Sequence, residues 1–168
     1  MDLRKATIAA VLLAAFLIGL APDTVQAETV YFVVARPGLY SVGIGDSYIL
    51  PLSDPADIAL ARDIIITGSL AIVSARVVKG SDGINRDWLT PGQPLWSWHV
   101  VAFDGFTMSA IELCDGNPTF TEAEAGNWSE GEQIQICYWT YTVVEEVVLP
   151  VSTEPSTWGR IKSLYESP

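Results

Sequence analysis

The chain has 168 residues, of which 20 are acidic and 9 are basic, so its formal net charge is −11 at pH 7. A field of this sign repels phosphate backbones and anionic lipid headgroups, which argues against nucleic-acid partners and membrane-surface partners. The same charge favours solubility outside the cell, and affinity for cations or basic partners is the alternative interpretation.

The N-terminal segment has the features of an export signal. Arg4 and Lys5 precede an uncharged apolar run over residues 6–21, and Val25-Gln26-Ala27 supplies a small-residue cleavage site. The run has about 16 residues, fewer than the roughly 20 that span a bilayer, which favours cleavage over a membrane anchor.

The segmentation that follows from this signal has three parts. We predict a signal peptide over residues 1–27, an α+β domain over residues 28–150, and a linker with a short C-terminal segment over residues 151–168. We expect a secreted or periplasmic location and no membrane association after cleavage.

The two cysteines, Cys114 and Cys137, most simply form one disulfide in an exported chain. The bond would close a loop of about 24 residues, worth roughly 3 kcal/mol in the chain-entropy model. A zinc site is disfavoured, because it needs four nitrogen or sulfur ligands and the chain offers two cysteines and one histidine. We predict no cofactor and no metal.

The first half of the domain predicts a hairpin followed by a helix. Residues 29–35 are uncharged and rich in β-favouring side chains, and residues 48–52 form the return arm, with Pro51 at a strand end or at a sheet edge. The helix spans residues 54–67. Asp54 can cap it, and Gly68 ends it.

The second half predicts mainly strands. Residues 70–78, 96–103 and 107–114 are expected as strands, residues 80–94 as a loop, Asp104-Gly105 as a turn, residues 119–126 as a short helical turn and residues 133–149 as β-rich. These elements predict the α+β class: an antiparallel β-sheet with one main helix packed on it, in a single disulfide-stapled domain.

Three polar residues are the candidate functional set, namely His99, Glu112 and Asp115. If neighbouring strands brought them together, an imidazole and two carboxylates could bind a divalent metal or transfer a proton. Structural roles are the alternative, because spacing alone does not establish that they meet. The chain lacks the common hydrolase and phosphate-loop motifs, so we assign no catalytic residues.

The aromatic side chains are the second candidate site. Trp96, Trp98 and Trp139 are the candidate aromatic surface, since exposed amphipathic rings can stack on sugar rings. A core role is the alternative for most of the aromatic residues of this part of the chain, which also include Trp88, Trp128, Tyr138 and Tyr141.

Four short strings carry a resemblance to a known family. They are Ser53-Asp54-Pro55-Ala56-Asp57-Ile58-Ala59-Leu60-Ala61-Arg62, Trp96-Ser97-Trp98-His99, Ile111-Glu112-Leu113-Cys114-Asp115-Gly116-Asn117-Pro118 and Val143-Val144-Glu145-Glu146-Val147. In this order they resemble the amino-terminal domain of a slime-mould calmodulin-binding protein and its bacterial relatives. The resemblance implies the identity of the domain. It brings no catalytic residues, and it does not imply calmodulin binding for this chain.

Together these observations predict an exported, non-catalytic binding or interaction domain whose partner is an extracellular or periplasmic protein or glycan. Two alternatives remain open. One is a metal-assisted or acid–base hydrolase that uses His99, Glu112 and Asp115, and the other is a carbohydrate-binding module that uses exposed Trp and Tyr side chains.

Overall fold

The computed structural model describes residues 28–38, 46–90, 92–108 and 114–149. The predicted signal peptide and C-terminal segment lie outside these ranges, as do Glu112 and most of the strand predicted over residues 107–114. In the part of the chain that the structure describes, no helix combines the length and the apolar character needed to cross a membrane.

The described residues form six strands and two helices. In chain order these are β1 (Val30–Ala35), β2 (Ser47–Leu52), α1 (Pro55–Thr67), β3 (Ile72–Lys79), β4 (Trp98–Thr107), α2 (Pro118–Ala125), β5 (Ile134–Cys137) and β6 (Thr142–Val147).

The strands form two antiparallel sheets of three strands each. The first sheet has the order β2-β1-β6 and the second has the order β4-β3-β5. The predicted α+β class is confirmed, although the single sheet of that prediction is divided into two. The β-rich segment at residues 133–149 is the point of division, because β5 joins the second sheet and β6 joins the first.

The hairpin of β1 and β2 is confirmed, and β2 lies at the edge of the first sheet. Pro51 therefore occupies the edge position that its missing N–H group requires. Both faces of this hairpin are buried. Phe32 and Leu50 face the main core, whereas Val33 and Ile49 face a second apolar cluster on the opposite side.

Helix α1 has the predicted ends. The Asp54 carboxylate accepts a hydrogen bond of 2.7 Å from the backbone N–H of Ala56, and Gly68 ends the helix with a left-handed φ of 65°. Ile58, Ala61 and Ile64 face the main core.

An ion pair joins helix α1 to the first sheet. The Arg62 guanidinium donates two hydrogen bonds, of 2.7 and 2.8 Å, to the Glu146 carboxylate on β6. This fork lowers the pKa of the Glu146 carboxyl, chiefly through its hydrogen bond to Arg62.

Part of the segment predicted as a loop over residues 80–94 covers the outer face of the first sheet. Ile84, Trp88 and Leu89 pack against the second apolar cluster, which contains Val33 and Ile49. The segment has the turn-forming composition of a loop, yet its apolar side chains bury sheet surface that would otherwise face water.

Asn85 lies in this covering segment and connects the two sheets. Its side chain is fully buried. The Asn85 side-chain oxygen accepts a 2.9 Å hydrogen bond from the backbone N–H of Ile49 on β2, and its amide nitrogen donates a 2.8 Å hydrogen bond to the backbone oxygen of Trp98 on β4. One side chain therefore bonds an edge strand of each sheet.

The turn predicted at Asp104-Gly105 is wrong, because β4 continues through these residues to Thr107. Gly105 pairs with Ser74 and the next pair along is Phe103 with Ala75, so Asp104 is an extra residue in a bulge. Gly105 takes a φ of 136°, which glycine adopts without strain. The local composition is that of a turn, but the cross-strand pairing converts it into a bulge.

The short helical turn predicted over residues 119–126 is the helix α2. It begins at Pro118, and the Asn117 side chain caps it by accepting a 2.8 Å hydrogen bond from the backbone N–H of Phe120. The predicted disulfide between Cys114 and Cys137 is confirmed and connects the segment before α2 to the end of β5.

The buried amide of Asn85 leads to a stability prediction. Asn85→Ala leaves the Ile49 N–H and the Trp98 carbonyl buried without partners, so we expect it to lower the free energy of unfolding by about 2–4 kcal/mol. Denaturant unfolding measures this change. Asn127→Ala, at an exposed position after α2, is the matched control and should alter stability by less than about 0.5 kcal/mol. Equal stability of the two variants would contradict the bridging role of Asn85.

The disulfide leads to a second prediction. We expect no titratable thiol in the denatured, unreduced protein. The double variant with Cys114→Ala and Cys137→Ala should lose roughly 3 kcal/mol of unfolding free energy, because the unfolded chain regains the freedom of the closed loop. Thiol titration and denaturant unfolding test the two statements, and two titratable thiols in the denatured wild type would refute the first.

Candidate functional site

His99 lies on β4, where it is half-buried and paired with Val78 of β3. Its Nδ1 atom lies 2.7 Å from the backbone oxygen of Gly80. A carbonyl oxygen can only accept a hydrogen bond, so Nδ1 carries a proton and donates it to this bond. The hydrogen bond fixes the imidazole against the start of the covering segment.

Asp115 lies in a different place. It is exposed, follows the disulfide-bonded Cys114, and lines a small cleft of about 220 Å³ that does not include His99. Glu112 lies outside the described residues. Among the described residues, no group of three or more His, Cys, Asp or Glu side chains could hold a metal ion. The hydrolase hypothesis, which needs all three residues together, therefore stays a prediction.

The candidate aromatic surface does not form as a unit. Trp98 is fully buried, so the prediction that it belongs to an exposed aromatic surface is wrong. Its ring stacks on that of Trp96, with the ring centroids 6.1 Å apart. Trp98 and Val100 belong to the main core, on the face of β4 that the first sheet covers. Trp139 is 42% exposed in the turn after β5. Trp96 is half-buried and lines a larger cleft.

This larger cleft, with a volume of about 880 Å³, is the candidate functional site. We call it the Arg36 cleft. Its walls combine one cationic, two acidic and three aromatic side chains, which are Arg36, Asp46, Asp87, Trp96, Phe120 and Tyr141. Gln93, Asn117 and Thr119 add polar groups.

Asp46, just before β2, holds two walls of the cleft together. One of its carboxylate oxygens accepts a hydrogen bond from the Tyr141 hydroxyl. The other accepts a 2.6 Å hydrogen bond from the backbone N–H of Thr119 in the first turn of α2. A carboxylate at this end of a helix is also favoured by the helix dipole. Asp46 thus fixes α2 relative to the turn before β6.

Ser47, the first residue of β2, connects the other walls. Its hydroxyl donates a 2.8 Å hydrogen bond to Asp87, which is almost fully buried, and accepts one of 2.7 Å from the backbone N–H of Trp88. The Ser47 backbone oxygen accepts a 3.0 Å hydrogen bond from the indole nitrogen of Trp96. The covering segment and Trp96 are therefore anchored at the start of the same strand.

Arg36, just after β1, supplies the positive charge of the cleft. Its Nε donates a 3.1 Å hydrogen bond to the Thr140 hydroxyl, and its guanidinium lies 5.5 Å from the centre of the Tyr141 ring. Such a cation over an aromatic face is stabilised by the ring quadrupole. No hydrogen bond joins the terminal nitrogens of Arg36 to the described part of the chain.

The tyrosine hydroxyls near the cleft stay protonated. Burial is the main cause that raises the pKa of Tyr141 well above its usual range, and the hydrogen bond to Asp46 and the negative charge of Asp46 raise it further. Burial likewise raises the pKa of Tyr138, although its hydrogen bond with Thr121 acts in the opposite direction. Neither hydroxyl is suited to act as a base near neutral pH.

The arrangement favours binding over proton transfer. The Asp46 and Asp87 carboxylates accept hydrogen bonds from the protein itself, and the Tyr141 hydroxyl donates its proton to Asp46. These groups already form hydrogen bonds that hold the walls of the cleft in place. What remains for a ligand is ring surface, the Arg36 terminal nitrogens and the polar rim.

The comparison with protein families decides the identity of the domain. The family model described as the BP-74 N-terminal domain matches residues 28–150. The chain belongs to this family. The resemblance predicted from four short strings is confirmed. Neither the search of curated proteins nor the search of solved structures returned a match.

In this BP-74 N-terminal domain, sequence reasoning missed Arg36, Asp46 and Phe120 as residues of one site. The available signal was weak. Arg36 and Asp46 are the charged residues at the two ends of the connection between β1 and β2, and Tyr141 lies just before β6. Because β6 pairs with β1, the first sheet places Arg36 beside Tyr141, which the linear sequence does not reveal.

Alkaline pH tests the environment of the buried tyrosines. The pKa values of Tyr48, Tyr138 and Tyr141 are raised in the folded domain above the ordinary value of 10.0, so the unfolded chain loses protons first as pH rises. We therefore expect the contribution of these tyrosines to the free energy of unfolding to be constant below pH 10 and to fall as the pH rises above it. Phenolate absorbance and circular dichroism should change together.

Tyr141→Phe gives the corresponding variant test. It removes the hydroxyl that bonds the Asp46 carboxylate, so we expect a loss of about 1.5–3 kcal/mol at neutral pH and a smaller further loss at alkaline pH. Tyr31→Phe, outside the cleft, is the control. Ionisation of all the tyrosines near the ordinary pKa of 10.0 with the fold intact would contradict the expectation.

Proposed function

We propose that this domain is a non-catalytic binding module and that the Arg36 cleft is its ligand site. The observation that carries the proposal is the state of the polar groups in the cleft. The Asp46 carboxylate accepts hydrogen bonds from Tyr141 and Thr119, and the Asp87 carboxylate accepts one from Ser47. The side chains of Trp96 and Phe120 line the cavity.

The size and lining of the cleft support the same proposal. Its volume of about 880 Å³ lies within the range of roughly 300–1,000 Å³ that is typical of small-ligand sites. The Phe120 side chain on α2 is 58% exposed, although the contact of an apolar ring with water is unfavourable in free energy. A ring held at the rim of a preformed cleft is well placed to cover a ligand.

The proposed setting is outside the cytoplasm, in the periplasm or the extracellular space. The Cys114–Cys137 disulfide is compatible with an oxidising compartment, and Arg4, Lys5 and the apolar run after them have the composition of an export signal. The proposed partner is a protein or glycan of that compartment. The net charge of −11 disfavours nucleic acid and anionic membrane surfaces.

The test is a binding screen with a variant that leaves the hydrogen-bond network intact. Wild-type protein is titrated with neutral and charged oligosaccharides and with short peptides, and tryptophan fluorescence and calorimetry report binding. We expect Phe120→Ala to weaken the binding of the recognised compound about fivefold or more, since it removes ring surface from the rim.

Ile66→Ala is the matched control, because Ile66 is an exposed apolar residue of α1 that does not line the cleft. Binding that is equal in both variants would place the ligand elsewhere and overturn the proposal. Turnover of any ester, glycoside or peptide substrate would contradict the non-catalytic part of it.

A further inference from the structure

Arg36 is a fixed and unpaired cation within the part of the cleft that the structure describes. Its Nε is held by the Thr140 hydroxyl and its guanidinium lies over the Tyr141 ring, so the orientation of the planar group is set. The ion pairs of the described residues are Arg62–Glu146 and Arg76–Asp104, and Arg36 takes part in neither. Its terminal nitrogens remain as donors for a ligand.

The charge around Arg36 selects the kind of anion. Asp46 and Asp87 line the same cleft, so a phosphate monoester, which carries nearly two negative charges at pH 7, meets repulsion from two carboxylates. A carboxylate carries one negative charge, and its two oxygens match the two parallel N–H groups that a guanidinium presents. The cleft therefore fits a single carboxylate at Arg36 better than a phosphate.

The walls next to Arg36 select the body of the ligand. Trp96 and Phe120 provide flat apolar surface, while Gln93 and Asn117 provide side-chain amides. A ligand that matches this lining has an apolar ring face and several hydroxyl groups at its edge. A sugar ring has this amphipathic character.

A bound peptide strand fits less well, because backbone groups at the edge of β2 beside the cleft are already bonded. The outward backbone oxygen of Ser47 bonds Trp96, and the outward N–H of Ile49 bonds Asn85. Pro51, the next residue of the same row, has no N–H group. Strand addition depends on such backbone groups, and at these positions one acceptor and one donor are already bonded and a second donor is missing.

The geometry points to a carboxylated sugar as the ligand: a mostly neutral glycan that contains a uronic acid residue, with its one carboxylate bound by the terminal nitrogens of Arg36 and its ring against the aromatic walls. This inference rests on the proposed function of the cleft. It adds the chemical class of the ligand and assigns Arg36 as the residue that distinguishes acidic from neutral sugars.

Calorimetric titration of the full domain tests the inference. The probes are neutral sugar oligomers that carry one galacturonate, glucuronate or guluronate residue, the methyl ester of the galacturonate-bearing oligomer, a neutral cello-oligomer, a sulfated oligosaccharide and a glutamate-rich peptide. We expect at least one uronate oligomer to bind, and methyl esterification or Arg36→Gln to weaken its binding at least about tenfold.

Two further variants separate charge from geometry. Arg36→Lys keeps the charge but not the fork, so it should restore only part of the affinity. Arg62→Gln removes one positive charge on α1, away from the cleft, and should leave affinity unchanged. Thermal unfolding checks that each variant is folded, and the ester comparison on the wild type needs no variant at all.

The outcomes separate this inference from the proposed function. If the neutral or esterified oligomer binds as tightly as the acid and Phe120→Ala weakens it, the cleft binds ligand but the carboxylate assignment is overturned. The inference is also overturned if the domain prefers the sulfated oligosaccharide or the glutamate-rich peptide. It is likewise overturned if no uronate oligomer binds, or if Arg36→Gln leaves the binding of the uronate oligomer unchanged. If Phe120→Ala affects none of the compounds that bind, the cleft itself is excluded.

Discussion

The two sheets of this domain depend on one buried amide. Asn85 lies in the segment between β3 and β4, and its side chain hydrogen-bonds one strand of each sheet. Besides its side-chain bonds to Ile49 and Trp98, its backbone N–H bonds the Asp82 carboxylate at 2.7 Å and its backbone oxygen accepts from Trp96 at 2.9 Å. Because each polar group of Asn85 has a partner, a fully buried polar residue is compatible with a stable core, and it fixes the relative position of the sheets.

The same contacts shape the Arg36 cleft. Trp96 follows the covering segment, and its backbone bond to Asn85 and its indole bond to Ser47 set the position of its ring. On the other side of the cleft, Asp46 holds α2 and Tyr141. Asp46 and Ser47, at the start of a single strand, therefore hold Trp96, Tyr141 and α2 in position, and this polar network makes the cleft rigid. Such preorganisation lowers the entropy that is lost on binding, which is consistent with a recognition role.

Local signals predicted the local structure well, and contacts between distant residues account for the differences. Helix α1 has Asp54 and Gly68 at its ends, signals that act within a few residues, and both ends are confirmed. Asp104-Gly105 has the composition of a turn, but pairing with β3 makes it a bulge. Trp98 has the amphipathic character of a surface ring, yet the first sheet covers it. The cleft is the extreme case, because Arg36, Asp46 and Tyr141 come together only through the pairing of β1 with β2 and β6.

The bond between Asp46 and Tyr141 joins residues 95 positions apart in the chain. Most of the domain must therefore have been synthesised before this bond can form. Contacts of such high sequence separation form late in folding, because the chain between the two residues must lose the entropy of a long loop before the contact stabilises the fold. Until Tyr141 has emerged, Asp46 lacks the hydroxyl that holds its carboxylate and Arg36 lacks the ring beneath it. A nascent or truncated chain would thus present a partial surface without the complete Arg36 cleft, so that the ligand binding proposed for this cleft would require the completed fold.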